Sequence, residues 1–260
     1  FILKTENVFS NNLIYDVNNV EVKSRINNSS SNSQLIETAF KKAFIVFINK
    51  TLLRKDAINL YKTQITVIKD LVLTYQVAKN KKSDKKENFL TFNIRFDPKK
   101  INNFLAKKGI PYADISNISL TLLPILIKDK NILLYNENFF HQNWIGPKKT
   151  PIDTKDNLIS YNLALENIED LEYINSTKEN IDLIDIKKIN SLNEVADYVL
   201  VTIYSTEDKF KAFIKTSIKN KNIDRNIDLN FYPKNENKSY KEAITTIKKE
   251  INQIWKEQNL

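Results

Sequence analysis

The chain has no cysteine and no methionine, one histidine, two glycines and four arginines in 260 residues. Each scarcity removes a class of chemistry. Without cysteine there is no disulfide framework, no thiolate metal site and no cysteine nucleophile. A single histidine, His141, rules out a two-histidine metal site and the H-E-x-x-H arrangement. Two glycines, Gly109 and Gly146, are too few for a G-x-G-x-x-G fingerprint, and no Walker loop or G-x-S-x-G elbow surrounds either. No apolar run approaches the roughly 20 residues of a membrane-spanning helix. The longest, 120–127 and 43–48, are core-sized. The chain opens on Phe1, and translation starts with methionine. A removed secretory leader is therefore expected, a trimmed N-terminus being the other reading.

The formal charge of +9 invites a reading as a binder of nucleic acid or of an anionic membrane. Lysine carries almost all of it, beside abundant Asn and Ile, whose codons are A/T-rich. Arginine, the usual residue for bidentate and stacking contacts to nucleic acid, is limited to Arg25, Arg54, Arg95 and Arg225. Base composition accounts for the charge, and nucleic acid is not the expected partner.

A hydrophobic content of 42% over this length suits one large domain or two small ones. Residues 13–23 alternate loosely and predict a strand. After a polar loop at 26–33, Leu35, Ile36, Ala39, Phe40, Ala43, Phe44, Phe47 and Ile48 recur at three- and four-residue steps, which predicts a helix capped by Ser33. Residues 65–77 read as a strand and 89–96 (FLTFNIRF) as its hairpin partner, joined by a lysine-rich turn. Asp97-Pro98 starts a helix that Gly109 stops. Residues 118–127 read as a buried strand with a bulge or an end at Pro124. A short helix is expected to hold Phe139, Phe140 and Trp144 and to end at Gly146-Pro147. Residues 148–157 mark the boundary between halves. Beyond it come a strand at 158–165, helices near 168–174 and 179–189, a meander of three strands between 198 and 231, and a C-terminal amphipathic helix over 240–256.

Candidate chemistry is sparse. His141 sits among Phe139, Phe140 and Trp144, which favours packing over catalysis. Glu166, Glu169, Asp170 and Glu172 have the oxygen ligands of a hard-cation site, yet the pattern is also that of a solvated helix face, the preferred reading. Asp182 and Asp185 read the same way. The basic runs 79–86 and 148–155 read as soluble loops. Serine and lysine are plentiful, but no spacing points to a Ser-Lys pair.

Four stretches resemble a bacterial exported family catalogued as domain of unknown function 2066, in its alphaproteobacterial branch. They are Val20-Glu21-Val22 leading into the helix from Gln34; residues 92–105 (FNIRFDPKKINNFL), with a strand, an F-D-P turn and a helix; residues 120–144, with an apolar strand containing a Pro, a turn, and Leu134-Tyr135-Asn136-Glu137-Asn138-Phe139 running on to Trp144; and residues 163–171, followed by a helix and Ala196-Asp197-Tyr198-Val199-Leu200-Val201. The resemblance implies a signal peptide and an exported protein. It implies no activity and carries over no catalytic residue.

The expected fold is α+β in two lobes, 1–147 and 148–260, each an antiparallel or mixed sheet with helices on one face. The expected function is that of a periplasmic or envelope-associated binding or assembly module without catalytic residues, metal or cofactor, its partner an envelope protein. An enzyme with a carboxylate or Ser-Lys site, and a binder of anionic lipid or nucleic acid, are the alternatives. Tyr135, Phe139, Phe140, His141 and Trp144 form the expected partner-contact surface, a core role being the competing reading.

Overall fold

The computed structural model describes residues 12–24, 32–79, 88–114, 118–145, 158–177, 184–193, 195, 197–206 and 210–260. The chain is α+β, with one antiparallel and one mixed sheet. It divides into two compact units. Unit 1 is Phe1–Ser116 with Lys155–Leu158 and the last two residues; unit 2 is Asn117–Thr154 and Ile159–Gln258.

Unit 1 holds strands β1 (Asp16–Ser24), β2 (Val72–Lys79) and β3 (Asn88–Phe96) and helices α1 (Asn32–Thr51), α2 (Arg54–Leu60), α3 (Ile65–Leu71) and α4 (Pro98–Ala106). The sheet is antiparallel in the order β1-β3-β2. The loose alternation of β1 has a local cause. Asn19 takes a left-handed φ of 58°, its amide donates to Asn93 Oδ1 at 3.0 Å, and the register shifts between Val17 and Val20. The bulge lets Val17, Val20 and Val22 share one face. That face also carries Phe92 and Ile94, all buried. Helix α1 covers it with Phe40, Phe44 and Phe47, the last two within 6.2 and 5.2 Å of the Phe96 ring. On the opposite face the Arg95 guanidinium donates twice to the Asp16 carboxylate, at 2.6 and 2.7 Å.

The helix α4 behaves as its punctuation predicts. The Asp97 carboxylate accepts from the amides of Lys99 and Lys100, and Pro98 is its first residue. Past its end Gly109 adopts φ +64°, and Gly109 and Ile110 donate back to the carbonyls of Ala106 and Leu105. The expected strand over 65–77 is half wrong. Residues 65–71 are helix α3, which buries Ile68 and Leu71 at a three-residue step, and only from Val72 is the chain extended. β-Branched composition suggests a strand there, but spacing against the core decides. Helix α1 begins at Asn32, one residue ahead of the expected cap Ser33.

Unit 2 holds β4 (Ile118–Lys128), β5 (Asn131–Leu133), β6 (Ile159–Leu163), β7 (Tyr198–Ser205), β8 (Phe210–Ile218) and β9 (Lys221–Asp228). Its helices are α5 (Phe139–Asn143), α6 (Ile168–Ser176), α7 (Asn190–Asn193) and α8 (Glu236–Asn259). The strand order is β5-β4-β7-β8-β9, and β6 also lies along β4. Strands β7, β8 and β9 form the expected antiparallel meander. Strand β4 runs parallel to both β6 and β7. This pairing corrects the expected lobe boundary. The division falls after Ser116, not between 147 and 148, because β4 finds its partners in strands that follow residue 158. Parallel neighbours must be joined by long crossovers, so no local signal announces them.

The helices of unit 2 also correct the expectation of one covered face. Leu123, Ile125 and Leu200 pack with Ile174 of α6, Ile189 and Leu192 of α7. The alternate residues of β7 and β8 face α8, whose Tyr240 hydroxyl hydrogen-bonds with Ser205 Oγ at 3.1 Å. Strands β4 and β7 are apolar on both faces, and each face needs its own cover. Of the expected helix at 179–189, residues 179–183 lie outside the described set, and Ile186–Lys188 is a single 3-10 turn capped by Asp185.

Pro124 neither bulges nor ends β4. The strand runs through it in unbroken register with β7, Pro124 opposite Val201. On the other edge β6 pairs only as far as Leu122 and β5 only from Leu126. The missing N–H of proline falls in this gap. Asn138 fills it. Its amide, fully buried, donates to the carbonyls of Pro124 at 2.8 Å and Leu133 at 3.2 Å, while its oxygen accepts from Phe140 N at 2.8 Å and caps α5.

A glycine-poor chain must make its hairpins from other residues. The β4–β5 turn places Asp129 and Lys130 at φ 48° and 68°, and the β8–β9 turn places Lys219 and Asn220 at 50° and 61°. Two successive left-handed residues are the twist a two-residue hairpin needs, and glycine meets the second without strain. Lys130→Gly is expected to stabilise unit 2 by about 0.5 kcal/mol, relief of left-handed strain outweighing added chain entropy. Thermal unfolding followed by circular dichroism tests this, and a lower Tm contradicts it.

Candidate binding surface

The expected partner-contact residues Tyr135, Phe139, Phe140, His141 and Trp144 all lie in unit 2. Phe140, Trp144 and Tyr135 are 0, 1 and 2% exposed, and Phe139 and His141 are half-buried. Three of the five residues thus have no surface to offer a partner. Phe140 lies 5.1 Å and Phe139 5.2 Å from the Tyr240 ring of α8, with Phe210 5.7 Å from the same ring. Trp144 meets Tyr161 of β6 edge-on at 5.7 Å. The short helix α5 is therefore a plug between the sheet and α8. Its aromatics are drawn in because Asn138 fixes the chain against β4 just before them.

Lys248 of α8 closes the same cluster. Its ammonium donates to the Trp144 carbonyl at 2.5 Å and lies 5.6 and 5.8 Å from the Trp144 and Tyr161 ring centres. Burial holds its pKa below the ordinary lysine range. His141 lies edge-on to Tyr135 at 5.6 Å, and its Nε2 is 3.2 Å from the Ala164 carbonyl. The histidine packs and bridges to the chain after β6.

Burial also raises the tyrosine hydroxyls of this core. Tyr240 is pushed up to about 12, mainly by burial, and burial raises Tyr161 further. The unfolded value is 10.0. A raised native pKa contributes stability that is whole below the unfolded value and lost as pH rises through the native one. The stability of unit 2 is expected to hold to about pH 10 and to fall between about 10 and 12. Absorbance of tyrosinate at 295 nm, followed beside circular dichroism, checks this. Complete tyrosine ionisation with native circular dichroism retained is the contrary result.

The acidic cluster separates into two roles. Asp170 is fully buried. Its two oxygens accept from the amides of Asn190 at 2.6 Å and Ser191 at 3.0 Å. It is thus the N-terminal cap of α7 and not part of a solvated face. Its charge, after burial, helps raise the Tyr135 hydroxyl. Glu166, Glu169 and Glu172 are exposed. Glu166 accepts from Asn136, and Glu169 from Asn190. Among the described residues no three His, Asp or Glu side chains converge as a metal site would require. Asp185 caps a 3-10 turn; Asp182 and most of the two basic runs lie outside the described residues.

What the sequence did not single out lies beside these glutamates. Leu165, Ile168 and Leu171 are 82, 75 and 40% exposed. The Asn167 side chain caps α6 at Asp170 N, and the helix then buries Asp170 and Ile174. At 100° per residue Ile168 must face away from that pair. The row L-x-x-I-x-x-L has the spacing of a core stripe, which hid it. Ile174 continues the same three-residue step and is buried, so spacing alone does not separate the exposed positions from the core. A second surface feature, a shallow polar depression on the first turns of α8, is lined by Asn235, Asn237, Lys238, Lys241, Glu242 and Thr245. Its carboxylate is already engaged by the Tyr232 hydroxyl at 2.8 Å.

No helix of the described residues is long and apolar enough to cross a membrane. No family model, curated protein or solved structure matches the chain.

Proposed function

We propose that the chain is a non-catalytic binding or assembly module of the bacterial cell envelope, exported and acting on an envelope protein. The observation that carries the binding half is the exposed apolar set of Leu165, just before the capped helix α6, and Ile168 and Leu171 in its first turn. Large apolar side chains aligned on a surface, with no packing role inside the fold, mark an interaction site. The envelope half rests on the resemblance of residues 92–105 and 134–144 to the exported family.

The reading as a binder of nucleic acid or anionic lipid needs one contiguous lysine face. Several of the described lysines stand beside or opposite carboxylates. Lys69, Lys100, Lys128 and Lys238 pair with Glu37, Asp70, Glu236 and Glu242, and Lys211 and Lys215 stand opposite Asp228 and Asp224 across β8 and β9. This distribution favours a protein partner.

The test is gentle cross-linking of the tagged full-length protein in cells, with compartments fractionated. Recovery of one envelope complex from the periplasmic or membrane fraction is the expected result. A cytoplasmic protein, or one released by nuclease, overturns the proposal.

A further inference from the structure

We infer that the Leu165–Ile168–Leu171 row docks a cationic amphipathic segment of a partner protein, one with apolar side chains on one face and lysine or arginine beside them. This rests on the binding-module reading above and names the partner chemistry of that surface. Two sets of side chains run from the segment just before α6 into its first turns. Leu165, Ile168 and Leu171 form the apolar one. Glu166, Glu169 and Glu172, each one residue later, form an acidic one, and all three are exposed. An apolar strip edged by carboxylates is complementary to a helix whose leucine-type face is flanked by basic side chains.

The charge of the whole chain sharpens the argument. At +9 the protein repels a cationic segment over most of its surface. Attraction is confined to places where carboxylates cluster without lysine between them, and residues 165–172 carry three exposed acidic side chains and no basic one. The acidic row therefore selects both the partner and the place. Leu165 and Ile168 stand in solvent, 82 and 75% exposed, so packing does not explain their apolar character. The packing of α6 is carried by Asp170 and Ile174, on the side away from Ile168.

The experiment uses the purified full chain and a fluorescein-labelled synthetic helix of about 15 residues, leucine at three- and four-residue steps and lysine elsewhere. Fluorescence anisotropy gives Kd. L165S/I168S should unfold at the same temperature as the wild type, since both side chains are exposed, and should bind the helix at least about tenfold more weakly. E166Q/E169Q/E172Q should weaken binding about fivefold by removing rim charges. No binding by the wild type, or an unchanged Kd in either variant, overturns the inference. The module reading is judged separately. If L165S/I168S still recovers the wild-type complex in cells, the protein is a binding module and this row is not its docking site.

Discussion

Phe140→Ala is expected to destabilise unit 2 by about 4 kcal/mol, with a fall in Tm of about 10 °C. The side chain is fully buried, and its ring packs on Tyr240 of α8 at 5.1 Å and on Phe139 at 5.9 Å. Truncation removes the apolar transfer term and leaves a cavity. That cavity cannot collapse easily, because Asn138 holds the start of α5 against β4 through Pro124 and Leu133. Both tryptophans, Trp144 and Trp255, belong to unit 2, so urea unfolding followed by their fluorescence reports this unit. The result distinguishes the two roles considered for the aromatic segment. A core plug loses stability. A contact residue would keep its stability and lose a partner, and a change below about 1 kcal/mol would return Phe140 to the surface reading.

Asp170→Ala comes next, at about 3 kcal/mol. The carboxylate is the acceptor for two amides at the start of α7, and its removal strands both donors in a buried setting. It also deletes a negative charge at a helix N-terminus. Asp170→Asn should cost less, about 1–2 kcal/mol, because one oxygen still accepts while the amide nitrogen faces the second N–H. Chemical denaturation of the two variants measures the order. The same proteins decide the cation alternative. Calcium should leave the wild-type Tm unchanged. A calcium-dependent rise that Asp170→Ala abolishes would restore the cluster as a metal site.

The cap at Asp97-Pro98 and the stop at Gly109 were legible because the groups that satisfy them lie within a few residues along the chain. The meander β7-β8-β9 and the amphipathic helices α1 and α8 were legible because period and turn spacing are local properties. The run from Ile65 was misread for the same reason. Its β-branched content is local, but the burial of Ile68 and Leu71 that makes it a helix depends on the core around it. Asp170 is a similar case. Its neighbours Glu166, Glu169 and Glu172 are exposed, and only the approach of Asn190 and Ser191 separates it from them.

By itself, then, the sequence determined the α+β class, the caps, the hairpins and the absence of cysteine, two-histidine and glycine-loop chemistry. Tertiary structure decided which strands β4 joins, that both faces of its sheet are covered, and that the aromatic segment faces inward while Leu165 and Ile168 face solvent. Periodicity states which side chains share a face of an element. Whether that face is covered depends on residues far away in the chain, brought there by pairings whose partners carry no local mark.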